Sequence, residues 1–468
     1  MPMGMNEQES VQGLFIVGGR IKSKVTLADR HILQDHLSNL LQVHNLVVLL
    51  GSGASFHLGS PQTRNLNNEK VVELIGNAGG SVNDADRALL KLVNPGDNGD
   101  LERLLNALQL ASALTIHTQG GTVTLGEGAA AKTFNVDALE ALRHKIGSAL
   151  VEACKLPGKA DDVDEDYRTD PLRAHRTFIS RMVRSRRSNL PRPRIFTTNY
   201  DLVIERALDE LGYPYVDGFS GTVERRLNLS FYGLDFHRID TSTQKVIARA
   251  DGALYVHKIH GSLNWRARTE RDRITGVESL EVHQVADGTP SGDDRVLIYP
   301  TTAKEGDTLA FPYSDLMRQL GDSVQQDDTA ILAVGYGFAD PHINRILLRS
   351  LAVNPALNVL VVDPFAVLEP SVMAEILESD DVVGKRLDAD DRKTKGTAVS
   401  ALAQAADARI AVLTGDAGKF TVFADLMPDP SLGDAVASPR TVSELIESLE
   451  LIGRKTTAKT LAEDGFSA

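Results

Sequence analysis

Short, strand-like apolar runs recur along this chain, and each stops at a glycine or a polar residue. Leu46–Leu50 runs into Gly51, Arg194–Thr197 into Thr198 and Asn199, Tyr255–Ile259 into His260, Ala330–Val334 into Gly335, and Asn358–Val362 into Asp363. Runs of this length, mostly apolar and partly β-branched, predict strands covered on both faces, as parallel strands are. Between them the period changes. Ile32, Leu33, Leu37, Leu40 and Leu41 recur at spacings of three and four, predicting a helix over 27–43 with Thr26 as its cap. The same spacing predicts helices through Leu101, Leu104 and Leu108 behind Gly99-Asp100, through Leu139, Leu142, Ile146 and Leu150, and through His175, Phe178, Ile179 and Met182. Two more follow, from Asp201 through Leu208 and from Asp340, with Pro341 at the first helical position, to Leu351. Alternating strand and helix predicts an α/β fold built on a doubly wound, mostly parallel, Rossmann-like sheet.

The pattern also divides the chain. Residues 1–45 read as an N-terminal segment and helix, 46–427 as the sheet domain, and 428–468 as a linker followed by an amphipathic helix through Leu445, Leu449 and Ile452. Between Pro61 and Pro193 no run suits a strand, and Gly120–Gly128 and Gly158–Asp170 read as loops, so about 65–190 forms a large helical insertion. Tyr213 to Ala253 is irregular, with room for hairpins; Val296–Tyr299 and Arg409–Leu413 are further short strands.

Composition narrows the class. At 468 residues the chain exceeds one ordinary core. No stretch approaches the roughly 18 to 20 apolar residues of a membrane span, and the start lacks a basic segment ahead of an apolar one, so a cytoplasmic protein is expected. The one cysteine, Cys154, permits neither an intrachain disulfide nor a thiolate zinc module, and no metal is expected. A net charge of −13 without a dense basic block argues against direct nucleic-acid binding. Arg184-Ser185-Arg186-Arg187 reads as a solvated helix end.

The strand ends carry the candidate chemistry, because ligands of open α/β sheets bind outside the carboxyl ends of the strands. Gly51-Ser52-Gly53-Ala54-Ser55 is a turn whose glycines allow close approach of a pyrophosphate and whose amides can cradle it, although Phe56 stands where a third glycine would complete the dinucleotide fingerprint. Thr198 and Asn199 offer hydrogen bonds to ribose hydroxyls, and Asp201 serves either the site or the following helix as its cap. Alternation sends His257 and His260 to opposite faces, and only His260 stands at the strand end, backed by Gly261, where an imidazole can act as a general base. Gly335 and Tyr336 repeat the strand–glycine–helix layout. Asp363 can accept from adenosine ribose hydroxyls, and Gly415-Asp416-Ala417 can close over the adenine.

In their order, GSGAS at 51–55, TTNYD at 197–201, HGS at 260–262, GYG at 335–337 and VDP at 362–364 resemble the sirtuin family. Thr198 stands where the family has glutamine, and one cysteine cannot build the four-cysteine zinc module of the protein deacylases. With the stretch at 99–105 and the helical insertion, the chain is similar instead to the bacterial sirtuin-like proteins of antiphage defence. That resemblance implies hydrolysis of NAD to nicotinamide and ADP-ribose, with Asn199 and His260 as the catalytic pair and Asp201 ordering their loop. It also implies restraint by assembly: a homo-oligomer, or a partner in a separate chain such as a HerA-type ATPase or an Argonaute-like protein. Two alternatives stay open, an NAD-dependent protein deacylase and a silent subunit that senses NAD or ADP-ribose.

Overall fold

The computed structural model describes residues 13–429 apart from short interior segments, of which 286–294, 299–310 and 388–394 are the longest. The expected cap at Gly99-Asp100 and the C-terminal helix lie outside the described residues. A nine-stranded sheet organises the chain. Its strands, in chain order, are β1 (Gly13–Val17), β2 (Arg20–Lys24), β3 (Asn45–Leu50), β4 (Arg194–Thr197), β5 (Tyr215–Val216), β6 (Leu254–Lys258), β7 (Thr329–Val334), β8 (Asn358–Val362) and β9 (Ile410–Gly415). The spatial order is β2-β1-β9-β8-β7-β3-β4-β6-β5. The seven strands from β9 to β5 are parallel, and the β1–β2 hairpin adds antiparallel at the β9 edge. The fold is α/β and mostly parallel, in agreement with the periodicity.

Every residue of β3 and β7 is buried, and side chains alternate between two cores. Leu46, Val48 and Leu50 face a layer holding the helices Arg30–Leu41, Arg173–Arg184, Val203–Leu211 and Phe420–Leu426. Val47 and Leu49 face the other layer, with the helices Tyr313–Val324, Pro341–Val353 and Ala398–Gln404. Two apolar faces per strand explain the unbroken runs. The chain leaves β3 to build β4, β5 and β6 on one side and then crosses to build β7, β8 and β9 on the other. The crevice between β3 and β7 is therefore the switch point of the sheet, where such folds hold ligands.

Five expectations need correction. The segment ahead of residue 46 is not separate, because β1 pairs with β9 along Gly13–Val17. The helical insertion ends near Ala153 rather than 190: the helices Asn68–Asn77, Asp84–Val93, Leu101–Ile116 and Val136–Ala153 share their own core, whereas Phe178, Ile179 and Met182 pack on the main sheet. The expected loop at 120–128 is half of a hairpin, Thr122–Leu125 with Lys132–Asn135, whose largely exposed strands leave little apolar signature. Val296–Tyr299 was expected within the alternation; the strand Arg295–Ile298 lies instead in a separate antiparallel sheet with Gly261–Arg271, Glu278–Gln284, Arg225–Leu227 and Phe219–Ser220. The basic run is a solvated end only in part, with Arg184 and Arg187 exposed. Arg186 is buried and donates to the carbonyls of Leu41, Val43 and His44, which follow or close the helix Arg30–Leu41.

Candidate active site at the sheet switch point

The ladder continues one residue past each parallel strand. The amide of Gly51 donates to Val334, that of Thr198 to Leu50, that of Ile259 to Thr197, that of Gly335 to Val362 and that of Asp363 to Leu413, each at 3.0–3.1 Å. All five strand ends thus form one edge, and a cavity of about 670 Å³ opens above it. That is the size range of small-molecule and cofactor sites. Gly51, Ser52, Gly53, Thr198, Asn199, Asp201, His260, Gly335, Tyr336 and Asp363 all line it. Ala54 and Ser55 do not; both are buried beneath the turn.

The floor is made by two turns in contact. A Cβ built on Gly335 falls 2.4 Å from the Ala54 nitrogen, and one on Gly51 falls 2.5 Å from the Gly335 oxygen, so neither position admits a side chain. Gly335 also has φ +61°, a conformation that favours glycine. This packing changes the expected role of the first turn. The Gly53 amide donates to the Gly335 carbonyl and the Ala54 amide to Gly51, both at 3.0 Å, so those two amides are committed inside the protein and do not cradle a pyrophosphate. The 51–55 turn is a spacer between β3 and β7 as much as a binding loop.

Above the floor stand the polar groups. Thr197 Oγ1 accepts from the Asn199 amide at 3.0 Å, and Asn199 Nδ2 donates to Ser55 Oγ at 3.3 Å. Ser55 is therefore a support for Asn199 rather than a ligand contact. Asn199 Oδ1 is buried and has no hydrogen-bond partner among the described residues. Asp201 Oδ1 accepts from the Val203 amide at 3.1 Å, which commits one carboxylate oxygen to the start of the helix Val203–Leu211. Beneath this loop the buried Lys258 ammonium donates to the Asp201 carbonyl and pairs with Glu205 at 3.1 Å.

His260 stands two residues past β6, and Gly261, at φ +93°, turns the chain into the antiparallel sheet. Its Nε2 lies 3.0 Å from Asp340 Oδ2, and both residues are buried. Asp340 was legible only as a helix cap, which it is: its Oδ1 accepts from the His342 and Ile343 amides. The second oxygen, on the imidazole, was missed because it comes from 80 residues away. The Tyr336 hydroxyl donates to Asn344 Oδ1 at 3.1 Å, so its ring, not its hydroxyl, is offered to the cavity. Asp363 Oδ1 accepts from the Phe365 amide at 2.8 Å. Of the region expected to close the adenine end, the lining residues are Gly418, Lys419, Phe420 and Thr421 rather than 415–417, with Lys395 and Thr397 nearby in the wall.

Periodicity gave no hint of two other contributors. Leu150 and Cys154, at the end of the insertion's last helix, form part of the wall. Burial pushes the Cys154 thiol up to about 12, so it is no nucleophile. His57 lines the cavity from the first turn and stacks on His175 and Phe420, with its edge against Tyr167. Burial pushes the His57 imidazole down to about 4, and burial together with His57 holds His175 well below its ordinary value. Both are neutral in the folded chain and titrate near their ordinary value once unfolded, so the unfolded chain binds more protons below about pH 6.5. Stability is fully present above that pH and is lost as pH falls toward 4. His57 alone accounts for roughly 3 kcal/mol of that loss. Urea midpoints measured from pH 7 to 4.5 should fall, and should fall less steeply in His57→Phe; equal slopes would rule this account out.

Among the described residues, metal-ligating side chains gather in one further place, Glu270, Glu281 and His283 on the antiparallel sheet. Arg226 already bridges the two carboxylates at 3.2 and 3.5 Å, and His283 bonds Glu270, so an internal cation fills that position.

Comparison with known proteins finds a family match over part of the chain. No curated protein matches. Among solved structures, a mutant Sir2 homologue in complex with ADP-ribose aligns over 71% of this chain and 84% of its own, at 13% identity and a TM-score of 0.29, too distant to carry an argument about the site. Residues 193–382 match the family described as the SIR2-like domain. The chain is thus similar to SIR2-like domains over the stretch that supplies Thr198, Asn199, Asp201, His260, Gly335, Tyr336, Asp340 and Asp363.

Proposed function

We propose that this protein is an NAD glycohydrolase, cleaving the bond between nicotinamide and ribose to release nicotinamide and ADP-ribose. The observation that carries the reading is the meeting of Asn199 and His260 in one cavity at the switch point, with the imidazole held by a buried carboxylate. The match to the SIR2-like domain over the same residues supports NAD as the nucleotide.

The bond breaks toward an oxocarbenium-like ribose, so the protein has to hold the ribose, exclude bulk water and place one nucleophilic water. His260 accepts a proton from that water or from a ribose hydroxyl, a role that general-base groups fill at a gain of about a hundred- to ten-thousand-fold. Asn199, in the wall of the same cavity, orients the hydroxyl or the water. Thr198 and Asp201 fix the loop on which Asn199 stands. With the Gly53 and Ala54 amides committed, the pyrophosphate is left to Ser52 and to the lysines of the far wall, Lys395 and Lys419. Asp363 meets the adenosine ribose, and the Tyr336 and Phe420 rings close the apolar surface around it.

By its resemblance, the activity would serve antiphage defence in the cytoplasm by depleting NAD, and would be held in check by a homo-oligomer or by a second chain. The purified protein, alone and with the product of a neighbouring gene, should convert NAD to nicotinamide and ADP-ribose in equal amounts without an acylated peptide, as read by chromatography. Loss of NAD only when an acyl peptide is supplied would replace this reading with a deacylase. Tight binding without product would replace it with a sensor.

A further inference from the structure

The carboxylate on His260 has two oxygens with different duties. Oδ1 of Asp340 accepts from the His342 amide at 2.8 Å and from the Ile343 amide at 3.4 Å, which fixes the carboxylate plane at the start of the helix Pro341–Val353. Oδ2 is 3.0 Å from His260 Nε2. Asp340 is 4% exposed, so water does not compete for that bond. An ionised carboxylate only accepts, so Nε2 must carry the proton, and a neutral imidazole then leaves Nδ1 as its basic nitrogen. Nδ1 has no hydrogen-bond partner among the described residues.

We propose that Asp340 is the positioning residue of this site: by holding Nε2–H it selects the His260 tautomer whose Nδ1 takes the proton during cleavage. The inference rests on the reading of His260 as the base in NAD hydrolysis, but the tautomer it assigns can be measured without turnover. A helix cap alone would need only Oδ1. The second oxygen reaches an imidazole 80 residues distant and serves no cap.

Asp340→Asn separates the two duties. Asparagine caps helices as well as aspartate does, so its Oδ1 keeps the His342 amide. Its Nδ2 then faces the imidazole as a donor and demands an unprotonated Nε2, which moves the proton to Nδ1 and removes the base. Asp340→Ser also keeps a cap but is too short to reach the ring. Two-bond proton–nitrogen spectra of protein labelled with nitrogen-15 histidine, with the His260 signals assigned through His260→Gln, should show an unprotonated Nδ1 in the parent protein and an unprotonated Nε2 in Asp340→Asn. Turnover should drop about a hundredfold in kcat with KM little changed, the melting temperature staying near the parent value in both variants. An unchanged tautomer in Asp340→Asn overturns the proposal whatever happens to turnover, and so does a rate loss that merely follows loss of folded protein. A tautomer swap in a protein that never hydrolyses NAD would sink the glycohydrolase reading and leave the positioning role standing.

Discussion

Replacing His260 with alanine is expected to slow NAD cleavage by about a hundred- to ten-thousand-fold, the contribution of a well-placed general base. The fold should survive. His260 stands past the last residue of β6, its hydrogen bond to Asp340 is to a side chain that keeps its own cap contacts, and the space it leaves opens onto the cavity. Asn199→Ala should also cost activity, but it removes a group that orients rather than one that takes the proton, so its effect should be smaller. It also strands the Ser55 hydroxyl that accepts from Nδ2. Single-turnover measurements at saturating NAD isolate the chemical step. Parent-like rates in His260→Ala, with an unaltered circular dichroism spectrum, would mean that the proton goes elsewhere.

The largest effect on stability is expected at a pair that touches no ligand. Lys258 and Glu205 are joined at 3.1 Å under the loop that carries Asn199, and Lys258 also donates to the Asp201 carbonyl. Burial raises the Glu205 carboxyl above its usual range, and Lys258 opposes that rise by favouring the charged form. Lys258→Met leaves the carboxylate in the interior with no counter-charge, a change that costs about 3–5 kcal/mol in comparable buried pairs. Replacing both partners, Lys258→Met with Glu205→Leu, removes the stranded charge and should recover most of that loss. Urea unfolding of the two single variants and the double variant decides the matter; additive losses would show that the pair is not coupled. Because the Asp201 carbonyl loses its donor in both backgrounds, the double variant should regain stability before it regains activity.

The sheet was legible because its strands are covered on both faces. Val47 and Val48 look toward opposite cores, so the run around them could not alternate, and its length and abrupt end at Gly51 marked it as a strand. The hairpin at Thr122–Leu125 was missed for another reason: Val123 and Leu125 alternate with threonines and pack on the insertion's core, but four residues between glycine-rich turns, paired with the mostly exposed Lys132–Asn135, are too short a signal to stand out from a loop. The edge hairpin β1–β2 was missed because pairing with β9 is a property of two segments almost 400 residues apart. In the site, single positions at strand ends were readable, since a polar residue directly after an apolar run has few places to go. Second partners were not. Asp340 looked complete as a cap, and Ser55 looked like part of a glycine turn. Each takes its other role from a residue far away in sequence, His260 or Asn199. The insertion's share of the wall, Leu150 and Cys154, was invisible for the same reason, since their helical spacing speaks only of their own core.

His260 follows β6 and Asp340 follows β7, and β3 and β4 lie between those two strands. At about 4.8 Å per strand the axes stand some ~14 Å apart, yet the loops above them meet in a single hydrogen bond. The two wings of the sheet are therefore latched across the crevice by the same contact that orients the imidazole. The orientation of the ring therefore depends on both wings keeping their relative position.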